Sequence, residues 1–257
     1  MDVHKIFIAF STILIKEVSR FLRIWGQTIL PPAISMTLYF IIFGRLIGPR
    51  IGSMDGVTYM EFIAPGLIMM SIINNSYANV VSSFFGAKFQ RHIEEMLIAP
   101  VPDVIILAGY VFGGVARGLV VGLVVTIIAL LFTDVHIHSY VVVLSVVFLT
   151  AVLFSLGGFI NAVYARNFDD ISIVPTFVLT PLIYLGGVFY SISLLPGFWQ
   201  SVSKINPILY MVNAFRYGIL GISDVSISLA FAIILLFIGM LTACSLILLH
   251  KGTGLKS

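Results

Sequence analysis

Few residues in this sequence have the type and spacing that catalysis or metal binding requires. Asp169 and Asp170 form a carboxylate pair that could bind Mg²⁺, and His136 and His138 alternate in a short polar turn where they could ligate a metal ion. One acidic pair without a second cluster is a weak metal signature, and carboxylates in such loops commonly cap helices. We therefore predict no catalytic residue and no metal site in this chain.

Short motifs of nucleotide and hydrolytic chemistry are also missing from the sequence. No Gly-Lys dipeptide occurs, so there is no Gly-x-x-x-x-Gly-Lys-Ser/Thr loop to hold phosphates, and neither His-Glu-x-x-His nor Gly-x-Ser-x-Gly is present. Cys244 is the single cysteine, so an intrachain disulfide is excluded, and it lies in an apolar run. Any ATPase must therefore be another chain, and we expect no cofactor in this one.

The composition points to lipid as the solvent around most of the chain. Of 257 residues, 60% are hydrophobic and 10% are charged, whereas soluble domains are roughly a quarter charged. A soluble domain of this length has too little interior to bury so many apolar side chains. The formal net charge of +3 is modest, so we expect a membrane protein that binds lipid and has no nucleic-acid partner.

Six long apolar stretches approach or exceed the roughly 20 residues that a helix needs to cross a bilayer. They are continuous rather than alternating, which favours helices over a β-barrel. Only Arg117 places a charge well inside one of them, and Pro31-Pro32 should kink the first helix or mark its first turn. We predict an all-α polytopic fold in a single domain, with spans at 24–44, 62–87, 104–133, 139–165, 171–203 and 225–249.

The distribution of Lys and Arg predicts the orientation of these six spans. With the N-terminus in the cytoplasm, the inside segments hold nine Lys and Arg residues and the outside segments hold four. Because cytoplasmic loops carry an excess of positive charge, both termini are expected inside. The inside segments are then 1–23, 88–103, 166–170 and 250–257, and the outside segments are 45–61, 134–138 and 204–224.

Residues 1–23 have the pattern of an amphipathic helix at the membrane surface. Lys16, Arg20 and Arg23 follow at i, i+4 and i+7 on one face, with apolar residues elsewhere. A cleaved signal peptide is the alternative, but Lys16-Glu17 follows the apolar run without a small-x-small cleavage pattern.

A short helix is predicted over residues 88–102, on the cytoplasmic side. Arg91 and Glu95 are four residues apart and can pair on one helical face. Ile93, Met96 and Leu97 form an apolar stripe, and prolines at 100 and 102 stop the helix. An ordinary amphipathic surface helix between two spans is the simpler interpretation of the same pattern.

On the external side, residues 180–216 stay apolar and aromatic beyond one membrane thickness. Pro196-Gly197 and Asn206-Pro207 interrupt this stretch, so it cannot continue as one straight helix. We predict a re-entrant region at 191–216, which is stable only where irregular backbone is packed in protein or lines a cavity. A plain external loop at headgroup level, with Trp199 and Tyr210 as interfacial aromatics, is the alternative.

Polar residues inside the predicted spans are candidates for a transport pathway. Asn74, Asn75 and Tyr77 cluster in the second span, where polar side chains face either neighbouring helices or a cavity. Arg117 is costly in lipid and has a functional role by default, although snorkelling to a headgroup would also explain it. The third span also carries closely spaced glycines that favour tight helix packing: Gly109, Gly113, Gly114 and Gly118.

The motifs and their order resemble the ABC-2 type permease family over nearly the whole chain. The external stretch is similar to that family's terminal signature through Pro181, Gly187, Phe189, Leu195-Pro196, Asn206-Pro207 and Phe215-Arg216. The cytoplasmic segment is similar to its Arg-Gly-Thr-Leu-Glu-x-Leu-x-x-x-Pro motif through Glu94, Met96 and Pro100. Where the family has Gly-Thr-Leu, this sequence has Arg91-His92-Ile93.

This resemblance implies the membrane subunit of a bacterial ABC exporter in the inner membrane, which works as a homodimer with two cytoplasmic ATPases that bind ATP and Mg²⁺. Residues 88–102 would be the coupling helix and 1–23 an interfacial connecting helix. The implied ATPase contacts are Arg91, Glu94, Glu95, Met96, Leu97 and Pro100. The implied external residues are Pro196, Asn206, Pro207 and Arg216, and the pathway residues are Asn74, Asn75, Tyr77 and Arg117.

Two other classes of membrane protein remain as alternatives. An intramembrane lipid-modifying enzyme needs several polar or acidic residues at one membrane depth, and only Asp169-Asp170 offers itself for that role. An ion-coupled secondary transporter normally has inverted repeats and mid-membrane carboxylates, whereas no Asp or Glu lies inside the six predicted spans. The sequence favours the exporter subunit and leaves its substrate open.

Overall fold

Helices make up most of the computed structural model, which describes residues 3–134, 137–252 and 254 and leaves out the side chain of Leu97. In chain order they are α1 (Val3–Arg23), α2 (Trp25–Ile51), α3 (Tyr59–Phe89), α4 (His92–Ile98), α5 (Asp103–Leu130), α6 (Tyr140–Tyr164), α7 (Asp170–Tyr184), α8 (Gly197–Ile205), α9 (Pro207–Leu220) and α10 (Ile227–Lys251). A 3₁₀ turn covers Ile192–Leu194, and strands β1 (Ser53–Met54) and β2 (Val57–Thr58) form a small antiparallel hairpin between α2 and α3.

Within the described residues, four helices are both long and apolar enough to cross a membrane: α2, α5, α6 and α10. They confirm a helical, multi-pass membrane protein. The structure differs from the prediction at the fifth span, because the helix that starts this span, α7, has only 15 residues. It ends before Gly187, whose φ of +73° is a left-handed conformation that favours glycine. Six spans therefore remain a prediction.

Two helices contain irregular pieces. The segments of α2 are Trp25–Thr28, Leu30–Tyr39, a π-helical stretch over Phe40–Ile47, and Gly48–Ile51. Pro31 and Pro32 occupy the first turn of the Leu30–Tyr39 segment, where a missing backbone N–H is tolerated, as the sequence predicts. The segments of α7 are Asp170–Val174, the π-helical Pro175–Leu179 and Thr180–Tyr184.

The centre of the fold is α3, which has 31 residues. It packs most extensively against α5 and α6, and most of its side chains are buried. Its first turn is a capping box in which Thr58 Oγ1 accepts from the Glu61 N–H, while Glu61 Oε2 accepts from the Thr58 N–H at 2.8 Å. Because other helices surround α3, it can carry the polar Asn cluster at lower cost than a lipid-facing helix.

Glycines in α5 allow two neighbours to approach closely, which confirms the predicted packing role of these residues. A Cβ added at Gly109 would lie 2.8 Å from the Ile13 Cβ of α1. On another side of α5, a Cβ at Gly114 would lie 3.0 Å from the Ser76 carbonyl of α3. The same helix therefore holds α1 against one face and α3 against another.

The N-terminal helix α1 is amphipathic, as predicted, but it is also packed against protein. It lies along α5, and its side chains at Ile13, Glu17 and Phe21 are buried. Lys16 and Arg23 are exposed, whereas Arg20 is only partly exposed. The three basic residues therefore do not share one environment.

Candidate functional site

The segment between α3 and α5 contains the predicted coupling residues. Arg91 precedes α4 in a left-handed conformation with φ +63°, and α4 itself spans only His92–Ile98. The helix is thus shorter than the predicted 88–102. Because Arg91 lies before the helix, it does not share a helical face with Glu95, and the predicted spacing for their pairing does not apply. Pro100 follows the helix, after Ala99 has returned to extended backbone.

The two faces of α4 differ in exposure. Ile93 is buried and Met96 packs against the core, so this part of the predicted apolar stripe points into the protein. Glu95 and Pro100 are exposed, and Ile98 is 85% exposed. Glu94 is half-buried, and the side chain of Leu97 lies outside the described part of the chain. The outward face therefore combines a carboxylate with apolar side chains.

Two exposed aromatic side chains pair with each other on the predicted cytoplasmic side. Phe89, at the end of α3, is 60% exposed, and Phe168, in the loop between α6 and α7, is 56% exposed. Their ring centroids are 5.0 Å apart, and both rings contact the buried Phe85. No sequence spacing relates Phe89 to Phe168, although a Phe in a short polar loop is an available signal.

Two local networks hold this side of the molecule together. Lys88 Nζ donates hydrogen bonds to the carbonyls of Val163 (2.6 Å) and Ala165 (2.7 Å) at the end of α6. Asp170 Oδ2 accepts from the backbone N–H of Arg166 at 2.8 Å and closes the turn before α7. The carboxylate of Asp170 therefore has a capping role, which is the structural alternative to a Mg²⁺ site.

The predicted histidine pair lies only partly within the described residues. His138 lies against the Tyr217 ring at a centroid distance of 5.3 Å, and His136 lies outside the described residues. Within the part of the chain that the structure describes, no group of three His, Cys, Asp or Glu side chains could hold a metal ion.

A cavity between α2 and α3 contains part of the predicted pathway. It has a volume of about 390 Å³. Asn74, Asn75 and Ser71 of α3 line one wall. The facing wall comes from the first turns of the Leu30–Tyr39 segment, with Pro31, Pro32, Ser35, Met36 and Tyr39. This wall gives the cavity an apolar side opposite the amides.

The structure separates the four predicted pathway residues. Arg117 of α5 lies behind the cavity wall, and its Nη2 donates to Asn75 Oδ1 at 3.2 Å. Tyr77 lies on another side of α3, where it is buried against Gly157 and Gly158 of α6. The sequence cluster thus divides because successive helical residues point in different directions.

A buried polar network, which the sequence patterns did not indicate as a site, joins α1 to α3. Glu17 is fully buried, and its Oε1 accepts from Ser83 Oγ at 2.6 Å. Arg20 Nη2 donates to Glu17 Oε2 at 3.4 Å and to Asn79 Oδ1 at 2.9 Å. Gly113 of α5 lies directly against the Glu17 Cβ. The lone carboxylate among basic residues in α1 is the signal that could have indicated this network.

On the predicted external side, two short helices follow one another, with Pro196 before α8 and Pro207 in the first turn of α9. They have 9 and 14 residues, both fewer than the roughly 20 needed to cross a bilayer. Asn206 caps α9, since its Oδ1 accepts from the Ile208 N–H at 3.0 Å, and its Nδ2 donates to the Leu182 carbonyl at 2.6 Å. The depth of this region in the membrane remains a prediction.

Arg216 connects α9 to the centre of the fold. Its side chain is only 1% exposed, and its Nη2 donates to the Gly187 carbonyl at 2.6 Å. The guanidinium carbon lies 3.8 Å from the Phe62 ring centroid, and Nε donates to the Phe62 carbonyl at 3.4 Å. Arg216 therefore fastens α9 both to the turn after α7 and to the start of α3.

Comparison with known proteins adds a second, independent line of information. Residues 8–220 match the model of a family described as ABC-2 type transporter. The chain is 60% identical over 255 residues to the inner membrane transport permease YadH of Escherichia coli (strain K12), which covers 99% of this chain and 100% of that protein. It is 24% identical over 202 residues to Nodulation protein J of Rhizobium leguminosarum bv. viciae, covering 78% of each.

Proposed function

This chain belongs to the ABC-2 type transporter family, and we propose that it is the membrane subunit of an ATP-driven exporter that works as a homodimer with two copies of a separate ATPase. The chain is a multi-pass inner membrane transport permease, as its full-length similarity to such a permease indicates. ATP and Mg²⁺ bind to the partner chain in this proposal, and both termini of the permease are cytoplasmic. The direction of transport is outward.

The observation that carries the proposal is the geometry of the α4 segment. Its outward face offers Glu95, Ile98 and Pro100, and Phe89, at the end of the preceding helix, is also exposed. The segment connects α3 directly to α5, and Lys88, near the end of α3, ties that helix to the end of α6. A partner that displaces α4 would therefore move three packed helices together, as a rigid-body switch between inward-open and outward-open states requires.

The exposure of α2 supports the dimer. In its most apolar stretch 17% of residues are buried, against 22% in α10 and 44% in α5 and in α6. Leu30, Ile34 and Leu38 recur every four residues and are each about half exposed, next to the cavity between α2 and α3. We place the second copy against this face, so that the two cavities join into one pathway. A ligand in this pathway shifts the equilibrium between the inward-open and outward-open states by binding one of them more tightly.

Charge reversal on α4 tests the coupling surface. We expect Glu94→Lys/Glu95→Lys to reduce the ATPase retained by the affinity-purified permease about tenfold or more. Positive charges on the partner that attract these carboxylates would repel the two lysines at a desolvated contact. The readout is the ratio of ATPase to permease after co-purification, together with the ATP hydrolysis rate of the complex.

Lys204→Glu is the matched control for that experiment. It reverses an exposed charge on α8, on the predicted external side, and should leave ATPase retention unchanged. Full retention and normal hydrolysis by the α4 variant would show that the ATPase binds elsewhere.

A further inference from the structure

Two arginines contact neighbouring asparagines of α3, behind residues that line the α2–α3 cavity. Arg117 donates to Asn75, and Arg20 donates to Asn79. Asn75 and Asn79 are one helical turn apart on α3, so the two contacts are separated by about 6 Å along that helix. Asn75 and Ala78, the residue before Asn79, both line the cavity.

The cluster carries more positive than negative charge. Glu17 is the carboxylate that contacts it, through the ion pair with Arg20 at 3.4 Å, so two guanidiniums share one carboxylate among the described contacts. A cation without a counter-charge is costly at membrane depth and marks an ion or substrate pathway. The charge balance therefore favours an additional anionic group at this position.

The hydrogen bonds of the cluster show the same imbalance. Three buried donor atoms here have no acceptor among the described protein atoms: Arg20 Nε, Asn79 Nδ2 and Arg117 Nε. Buried donors without partners are rare, because each one costs about 1–3 kcal/mol. The side chain of Arg20 is still 30% exposed, and Arg117 is half-buried, so both arginines keep accessible surface directly behind Asn75, which lines the cavity.

The remainder of the cavity is suited to an apolar chain. Its α2 wall presents Pro31, Pro32 and Met36, and Met70 contributes from α3. This wall continues into the exposed apolar side chains of Leu30 and Ile34. A ligand whose acidic group meets the arginines can therefore lay a hydrocarbon tail along α2.

From this arrangement we propose that Arg20 and Arg117, with Asn75 and Asn79, form a binding site for the phosphate or carboxylate headgroup of an anionic amphiphile. The inference rests on the proposed function, because it identifies the substrate class of the proposed pathway. Glu17 is a positioning residue here: it holds Arg20 toward Asn79 and does not contact the ligand.

The test is binding of lipid to the purified full chain in a neutral detergent, measured by native mass spectrometry without ATP. The probes are dioleoyl phosphatidate, dioleoyl phosphatidylcholine with the same tails, and inorganic phosphate. We expect phosphatidate to bind about tenfold more tightly than phosphatidylcholine, since a charge-assisted hydrogen bond contributes about 1.5–3 kcal/mol and tenfold corresponds to about 1.4 kcal/mol. Inorganic phosphate should compete weakly.

Variants of Arg117 locate the preference. Arg117→Gln should reduce the preference for phosphatidate to about threefold or less, and Arg117→Lys should retain most of it. Arg23→Gln removes an exposed charge from the end of α1 and should leave the preference unchanged. Unaltered phosphatidylcholine binding shows that each variant is folded; an Arg117→Gln chain that fails this check is replaced by the Arg117→Met chain.

Retention of the full preference by the folded, uncharged variant would overturn the proposed site. Competition by inorganic phosphate as strong as that by phosphatidate would overturn the amphiphile as the ligand. These outcomes are independent of the coupling experiment. Failure of the chain to retain an ATPase would contradict the proposed function. If the chain retains the ATPase but binds phosphatidate and phosphatidylcholine equally, only this inference is contradicted.

Discussion

Replacing Arg216 with alanine is expected to destabilise the protein by about 4 kcal/mol and to abolish transport. The side chain is 1% exposed and donates at 2.6 Å to the Gly187 carbonyl while lying on the Phe62 ring. A hydrogen bond from a charged group contributes about 1.5–3 kcal/mol, and a desolvated cation–π contact about 2 kcal/mol. The truncation also leaves a cavity and removes the Arg216 donor from the Gly187 carbonyl.

Reversible unfolding of the purified chain in mixed detergent, followed by tryptophan fluorescence, measures this effect. Trp199 lies on α8, which directly precedes α9. Arg50→Ala, which truncates an exposed arginine before β1, should stay within about 0.5 kcal/mol of the unmodified chain. If Arg216→Ala is equally mild, Arg216 does not anchor α9 as described.

A leucine in place of Gly114 is expected to have the second largest effect, a loss of about 3 kcal/mol or more. Gly114 lies where α5 meets both α3 and α6. An added Cβ would lie 2.5 Å from Val80 Cγ2 and would also contact Ser155 Oγ. Overpacking of a dense core typically costs about 1–3 kcal/mol, and here two helices would have to move apart to relieve it.

The same detergent unfolding experiment measures this loss, with Gly239→Leu as the matched control. No atom lies within 4 Å of a Cβ added at Gly239, so leucine there should be neutral or stabilise α10 through its better helix propensity, by up to about 1 kcal/mol. If the two variants have the same free energy of unfolding, the three-helix contact at Gly114 is contradicted.

Several features of the fold were predictable because they depend on local chemistry. The apolar runs indicated a helical membrane protein, since lipid cannot satisfy free backbone groups. Pro100 ends the α4 segment and Asn206-Pro207 separates α8 from α9, as proline and Asx residues dictate locally. The order of such motifs along the chain also indicated the family, because each motif consists of residues that are close together in the sequence.

Other features depend on contacts that no local pattern contains. The burial of Glu17 results from Gly113 and Ser83, on two other helices. The fifth span ends early at Tyr184 because the chain turns at Gly187, although the following residues remain apolar. Tyr77 faces α6 rather than the cavity because the packing of α3 sets its rotation. Each of these depends on tertiary arrangement, which overrides periodicity.

The α4 segment is also where the proposed coupling can be tested most directly. Ile98 is 85% exposed, at the last residue of α4. The measurement is photo-crosslinking after replacement of Ile98 with p-benzoylphenylalanine, in membranes that contain the full chain and the ATPase expressed with it. The same replacement at Lys204, an exposed residue of α8, is the control.

We predict an adduct between the ATPase and residue 98, and none with residue 204, since the two positions lie on opposite sides of the membrane in the proposed orientation. An ATPase adduct at residue 204, or an ATPase that co-purifies with the chain without reacting at residue 98, would contradict the proposal that α4 receives the movement of the partner ATPase.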